Sequence, residues 1–173
     1  MPKDMDVPPE ILCLHGSNPE GRSGFLLLRH VLMEKYAISS CAFDCVGFGS
    51  TGGEPYPAEG WLAKYVAQAS DIVNACFDSQ PFSIVAADSS TDIAVQLAAV
   101  FPVRQLVLLN PPAGWNCPVH TPQQPITMPV ASGQTLAHMN ANALLLADIA
   151  AMIHATLQGD GRYMRHNYEE YGT

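Results

Sequence analysis

The chain has 173 residues, 48% of them hydrophobic, a length and composition at which one domain buries a sizeable core. Sixteen acidic against eight basic residues give a formal net charge of −8, which repels phosphate backbones and anionic headgroups and argues against nucleic acid and membrane partners. The first residues do not form a basic, apolar leader and no apolar run reaches the roughly 18 residues a membrane helix needs, so a soluble, cytoplasmic protein is expected.

Along the chain, the short apolar run Ile11 to Leu14 stops at His15-Gly16-Ser17 and is followed, after a polar stretch, by an apolar helical pattern from Phe25 to Met33. A second strand is predicted around Ile38 to Phe43, ending at Asp44 and running into the glycine-rich stretch Gly47 to Gly53. Apolar residues at Trp61, Tyr65, Ala69, Ile72, Val73 and Cys76 are spaced for one face of a helix. Phe82 to Ala86 reads as the third strand; after Asp88, Ile93, Leu97, Val100 and Phe101 mark another helix, closed by Pro102. Val103 to Leu109 is the fourth strand, Asn110 to Pro125 a loop, and Ile126 to Val130 a last strand that Pro129 assigns to an edge. Leu144 to Leu157 is helical by period.

Short apolar strands alternating with amphipathic helices predict an α/β fold, a mostly parallel sheet flanked by helices on both faces. Residues 1–158 are expected to form one domain, with 159–173 as a C-terminal tail. Cys13, Cys41, Cys45 and Cys76 lie inside apolar segments and no CxxC pair occurs, which predicts buried reduced thiols rather than disulfides or a metal site. The run Gly47 to Gly53 lacks the Walker lysine and the Rossmann spacing, so no metal, nucleotide or other cofactor is expected.

Three segments carry chemistry. They are Leu14-His15-Gly16; Asp44 to Thr51, which reads DCVGFGST; and Ile84 to Thr91, which reads IVAADSST. In this order they resemble the α/β-hydrolase superfamily: the HG signature after the first conserved strand, the DxxGxGxS turn with Thr51 in the serine position, and the nucleophile elbow. The resemblance covers roughly residues Ile11 to Pro111 and implies a minimal α/β-hydrolase fold without the lid.

Within that resemblance Asp88 falls at the nucleophile, flanked by the small residues Ala86 and Ser90, as in the haloalkane dehalogenase and epoxide hydrolase branch. There a carboxylate attacks carbon and a histidine-activated water hydrolyses the resulting ester. The backbone N–H groups of Ser17 and Ser89 would form the oxyanion hole. A register shift of one residue would make Ser89 the nucleophile, and a purely structural reading makes Asp88 the N-cap of the following helix.

The resemblance places the base in a loop between the last strand and the closing helix, where His138 stands. His154 within that helix, His166 in the tail, His120 in the proline-rich loop and His30 in the first helix are expected to be packed or solvated, and His15 to shape its loop. No aspartate occupies the usual acid position. Asn110, directly after the strand that follows the elbow, is the candidate to orient the imidazole, with Asp148 or Asp160 as alternative carboxylates. Trp115 is the candidate lid-type donor.

The expected function is hydrolysis of a small neutral organic substrate through a covalent Asp or Ser intermediate. A catalytically silent scaffold or binding protein of the same fold stays open beside it, as does assembly into a homo-oligomer.

Overall fold

The computed structural model describes residues 7–113, 126–130 and 136–158. Five strands, β1 (Ile11–Leu14), β2 (Ser40–Ala42), β3 (Phe82–Ala87), β4 (Val103–Leu109) and β5 (Ile126–Val130), form one parallel sheet in the order β2-β1-β3-β4-β5. The helices among the described residues are α1 (Leu26–Tyr36), α2 (Trp61–Cys76), α3 (Thr91–Val100), α4 (Leu136–Ala141) and α5 (Ala143–Leu157). Single 3-10 turns at Gly21–Phe25 and Asp88–Ser90 precede α1 and α3.

The period of two in the strands divides the core. Ile11, Cys13, Val85, Ala87, Val107 and Leu109 face a cluster with Phe25, Leu28, Met139 and Ile149, so α1, α4 and α5 cover that face. Leu12, Leu14, Ile84, Ala86, Leu106 and Leu108 face Tyr65, Val73, Ile93 and Leu97, under α2 and α3. Each residue of β1 and β3 is buried, as strands covered on both sides must be. β5 occupies the sheet edge that Pro129 predicted.

The chain moves outward from β1 to β2, then returns to the other side of β1 to lay down β3. Right-handed crossovers on either side of that reversal put their helices on opposite faces and open a crevice between the carboxyl ends of β1 and β3. Leu14 delivers Gly16 and Ser17 to this crevice, and Ala87 delivers Asp88.

Two elements differ from expectation. β2 is shorter than Ile38 to Phe43 because α1 runs on to Tyr36 and closes with a left-handed Ala37 (φ +54°), whose N–H bonds Met33 O while Ile38 N–H bonds Leu32 O. His138 stands in α4, a helix, and not in a loop. Asn142 makes the break between α4 and α5 by accepting the Leu145 N–H on its side chain at 3.1 Å, an N-cap that the apolar period does not report. No helix among the described residues is long and apolar enough to cross a membrane.

Candidate active site

The elbow begins with a backbone requirement. Asp88 has φ +51°, a left-handed conformation at the turn between β3 and the helix, where a non-glycine residue is uncommon and costs energy. Ser89 has no such φ, so the strained position belongs to Asp88 and not to its neighbour. Neither the 3-10 turn nor α3 is capped by a side chain, which removes the N-cap account of Asp88. Its Oδ1 instead accepts a hydrogen bond from Asn110 Nδ2 at 2.7 Å. Because a carboxylate only accepts, this contact orients the Asn110 amide with its nitrogen inward. Asn110, at the end of β4, is itself left-handed (φ +51°). Asn110 was expected to orient an imidazole; the contact its amide nitrogen makes here is to the elbow carboxylate.

The small residues around the elbow have separate reasons. Ser90 is buried and its hydroxyl lies 2.8 Å from Leu14 O and 2.7 Å from Ala87 O, tying the ends of β1 and β3 together. Thr91 Oγ1 donates to Asp88 O at 2.9 Å. A Cβ on Gly16 would lie 2.7 Å from Asp88 Cβ and 2.8 Å from Ala87 O, so the HG loop crosses the elbow at a distance only glycine permits. Ser17 and Ser89, the two expected oxyanion-hole residues, are brought together with their hydroxyls 3.0 Å apart.

The supporting loops are fixed by His15 and Asp44. The buried His15 ring accepts the Cys45 N–H on Nε2 (2.9 Å) and so donates from Nδ1 to Gly16 O (2.7 Å). Burial, against the raising effects of the Gly16 contact and of Asp44, lowers its pKa from the ordinary value and keeps the ring neutral. Both nitrogens are engaged, so His15 shapes the loop, as expected, and has none left for proton transfer. Asp44 accepts from Arg22 N–H, Ser50 N–H and Ser50 Oγ, at 2.7, 3.0 and 2.9 Å. Burial alone would raise its pKa, but these bonds and the Arg22 guanidinium outweigh it and hold the carboxyl below its ordinary value. Gly21 and Gly49 are both left-handed, and a Cβ on either would strike this carboxylate. Thr51 is exposed and donates to Asp44 O at 2.8 Å, closing the DxxGxGxS turn.

His138 is exposed on α4, and that helix is held against the 3-10 turn after the HG loop by buried Met139 and by Asn140 Nδ2 donating to Gly24 O at 2.7 Å. Asp148 is exposed on α5, His30 is exposed on α1, and His154 stacks on Tyr36 with ring centroids 4.4 Å apart. Trp115, His120, Asp160 and His166 lie outside the described residues.

A cavity of about 280 Å³ adjoins the elbow on the Ser17 and Ser89 side, lined also by Phe48, Tyr56, Trp61 and Tyr65. The sequence reading took Trp61 and Tyr65 as core face and missed their second role. The available signal was position: these aromatics cluster at the start of α2 and in the loop after β2, on the carboxyl side of the sheet where α/β folds bind ligands.

No protein-family model and no curated protein matches this sequence. Among solved structures, the chain is similar to a serine hydrolase from the polyaromatic-hydrocarbon-degrading bacterium Cycloclasticus zankles, at 25% identity and TM-score 0.52 over 62% of this chain and 39% of that one. It is similar to a 2-hydroxy-6-oxo-6-phenylhexa-2,4-dienoate hydrolase from a Rhodococcus species at 24% identity and TM-score 0.51, over 66% and 42% of the two chains. A protein of the alpha/beta hydrolase superfamily from Xanthomonas campestris matches at 16% identity and TM-score 0.52, over 82% of this chain and 98% of that one. The chain thus spans about two-fifths of the length of the first two structures. With the strand order and the elbow, these likenesses define the class: the chain has the α/β-hydrolase fold, and hydrolases are among its structural neighbours.

Proposed function

We propose that the protein is a hydrolase of a small neutral organic substrate and that Asp88 is its covalent nucleophile. The observation that carries this reading is the left-handed Asp88 at the carboxyl end of β3, a strained carboxylate position at the switch point of the sheet. In the proposed reaction an Asp88 oxygen attacks an electrophilic carbon of a halide or epoxide. A C–O bond to Asp88 forms, and the carbon–halogen or carbon–oxygen bond breaks, sending its electron pair to the leaving group. Water then attacks the ester carbonyl with His138 taking its proton, the backbone N–H groups of Ser17 and Ser89 support the oxyanion, and the alkoxide departs taking the proton from His138, leaving the alcohol with Asp88 restored.

Asn110 acts on the nucleophile in this scheme: its amide holds one carboxylate oxygen at 2.7 Å and leaves the other to attack. Ser89 is the weaker nucleophile candidate, since its hydroxyl pairs with that of Ser17 and the neighbouring His15 has no free nitrogen to act as base. The silent-scaffold reading draws on one observation, that the cavity is lined by Ser17 and Ser89 and not by Asp88. The test is intact-protein and peptide mass spectrometry of His138→Gln incubated with aryl epoxides and benzyl halides. An adduct accumulating on the peptide that contains Asp88 supports the proposal; an adduct on Ser89, or none across the panel, refutes it.

A further inference from the structure

The cavity beside the elbow has a composition that restricts what enters it. Its walls carry the rings of Phe48, Tyr56, Trp61 and Tyr65, with Tyr65 at the hub: its centroid lies 4.7 Å from that of Tyr56, 6.1 Å from Trp61 and 6.4 Å from Phe48. A volume of about 280 Å³ lies at the small end of ligand pockets, enough for one ring with a short substituent and too small for a long acyl chain.

The polar groups in the wall are mostly occupied. The Tyr65 hydroxyl donates to Val46 O at 3.0 Å and accepts the Tyr56 N–H at 3.2 Å, and both His15 nitrogens are engaged. The Cys45 thiol is pushed up to about 12, first by burial and then by the Asp44 charge, so it stays neutral. Among the described residues no Lys, Arg, Asp or Glu lines the cavity; Lys64, with its ammonium 5.2 Å from the Tyr56 centroid, stands outside that lining. What remains is the Tyr56 hydroxyl, the Trp61 indole N–H and the hydroxyl pair of Ser17 and Ser89, of which the serine pair stands next to Asp88. Two hydroxyls bonded to each other keep one donor and further acceptor capacity between them.

We propose that this cavity binds a neutral molecule with a single aromatic ring, the ring held among Tyr56, Trp61 and Tyr65 and an oxygen on its side chain hydrogen-bonded to Ser17 and Ser89. As a binding site it stands on the cavity alone. As a substrate class it rests on the Asp88 reading: Asp88 precedes Ser89, so a ring seated here presents the carbon next to it at the elbow, which selects aryl-bearing epoxides, whose oxygen meets the two hydroxyls. An anion is disfavoured because an uncharged wall gives its charge no partner and the Asp88 carboxylate is near.

The experiment is a 19F NMR titration of the full chain with 4-fluorobenzyl alcohol, which offers a ring and a hydroxyl but no leaving group. Saturable binding is expected. 4-Fluorobenzoate should bind at least about tenfold more weakly because its charge must be desolvated. The saturated analogue (4-fluorocyclohexyl)methanol should bind about threefold more weakly because it lacks the ring–ring contacts. Ile93→Phe, which adds volume at the cavity wall, should weaken the alcohol at least about tenfold. Because Ile93 is buried and this variant can fail to fold, Tyr56→Ala at a half-buried position is the second test and should weaken it about fivefold. Absence of binding, equal binding of the anion or of the saturated alcohol, or affinity unchanged in a folded variant overturns the proposal. Binding that follows this pattern without covalent labelling of Asp88 keeps the aromatic site and rejects the nucleophile.

Discussion

Gly16→Ala probes the crossing of the HG loop over the elbow. Nothing in the Gly16 backbone itself forbids a side chain, since its φ is not positive; the obstacle is the space. The added methyl would meet Asp88 Cβ at 2.7 Å, Ala87 O at 2.8 Å and Asp88 Oδ2 at 3.2 Å, and the first two are fixed by the backbone. Overpacking of this kind costs about 1–3 kcal/mol. For a chain of this length that is a fall in Tm of about 2–12 °C. Asp88→Gly removes two of the three obstructing atoms. It also relieves about 1–2 kcal/mol of left-handed strain and forfeits about 1.5–3 kcal/mol of charged hydrogen bonding from Asn110, so alone it should be close to neutral or mildly destabilising. In the double variant the clash with Ala87 O survives but the others do not, which predicts a favourable coupling on the order of 1 kcal/mol. Urea unfolding of the wild type, both single variants and the double variant measures it. A neutral Gly16→Ala, or strictly additive effects, would show that the loop does not cross the elbow as described.

Asn110→Asp places a second carboxylate against Asp88 Oδ1, removing a charged hydrogen bond and adding like-charge repulsion, so at neutral pH the variant should lose about 1.5–3 kcal/mol, read as a fall in Tm of about 3–12 °C. If Asn110 instead orients an imidazole, the same change should raise turnover. The depressed pKa of Asp44 contributes stability that is present above its unfolded value and lost as pH falls through the lower folded one; Asp44→Asn should cost about 1–3 kcal/mol at neutral pH and flatten the acid limb below about pH 4. At the end of α1, Ala37→Gly relieves a left-handed alanine and should stabilise by about 0.5–2 kcal/mol, read as a rise in Tm.

Much of this fold is written locally. β4 ends where its apolar run ends, since its boundaries coincide with Pro102 and Asn110. The period of two along Leu12, Leu14, Ile84 and Ala86 is a direct image of the two covered faces. The elbow register was equally legible, because Ala86, Asp88 and Ser90 hold the small, strained and small positions in a row. What was not legible depends on contacts between distant segments. Ala37 gives no glycine to mark its left-handed turn, the break between α4 and α5 is made by the Asn142 cap, and α4 is held by packing on the turn before α1. Asn110 could be placed after β4, but only the β3–β4 register reveals that its amide meets Asp88. The aromatic cavity escaped for the same reason: Trp61 and Tyr65 lie on the apolar face of α2, where core and pocket share one periodicity.

The assignment of Asp88 as nucleophile is tested most directly by isotope tracing. When water attacks the ester carbonyl, the oxygen it brings stays in the Asp88 carboxylate and an original carboxylate oxygen departs with the alcohol. A single turnover of excess wild-type protein with an aryl epoxide or a benzyl halide in H2(18)O should therefore put one heavy oxygen into the peptide containing Asp88 and leave the first product unlabelled at the newly formed C–O bond. Label in the product from the first turnover with none at Asp88 would mean that water attacks the substrate directly, and the account of a covalent Asp88 intermediate would be wrong.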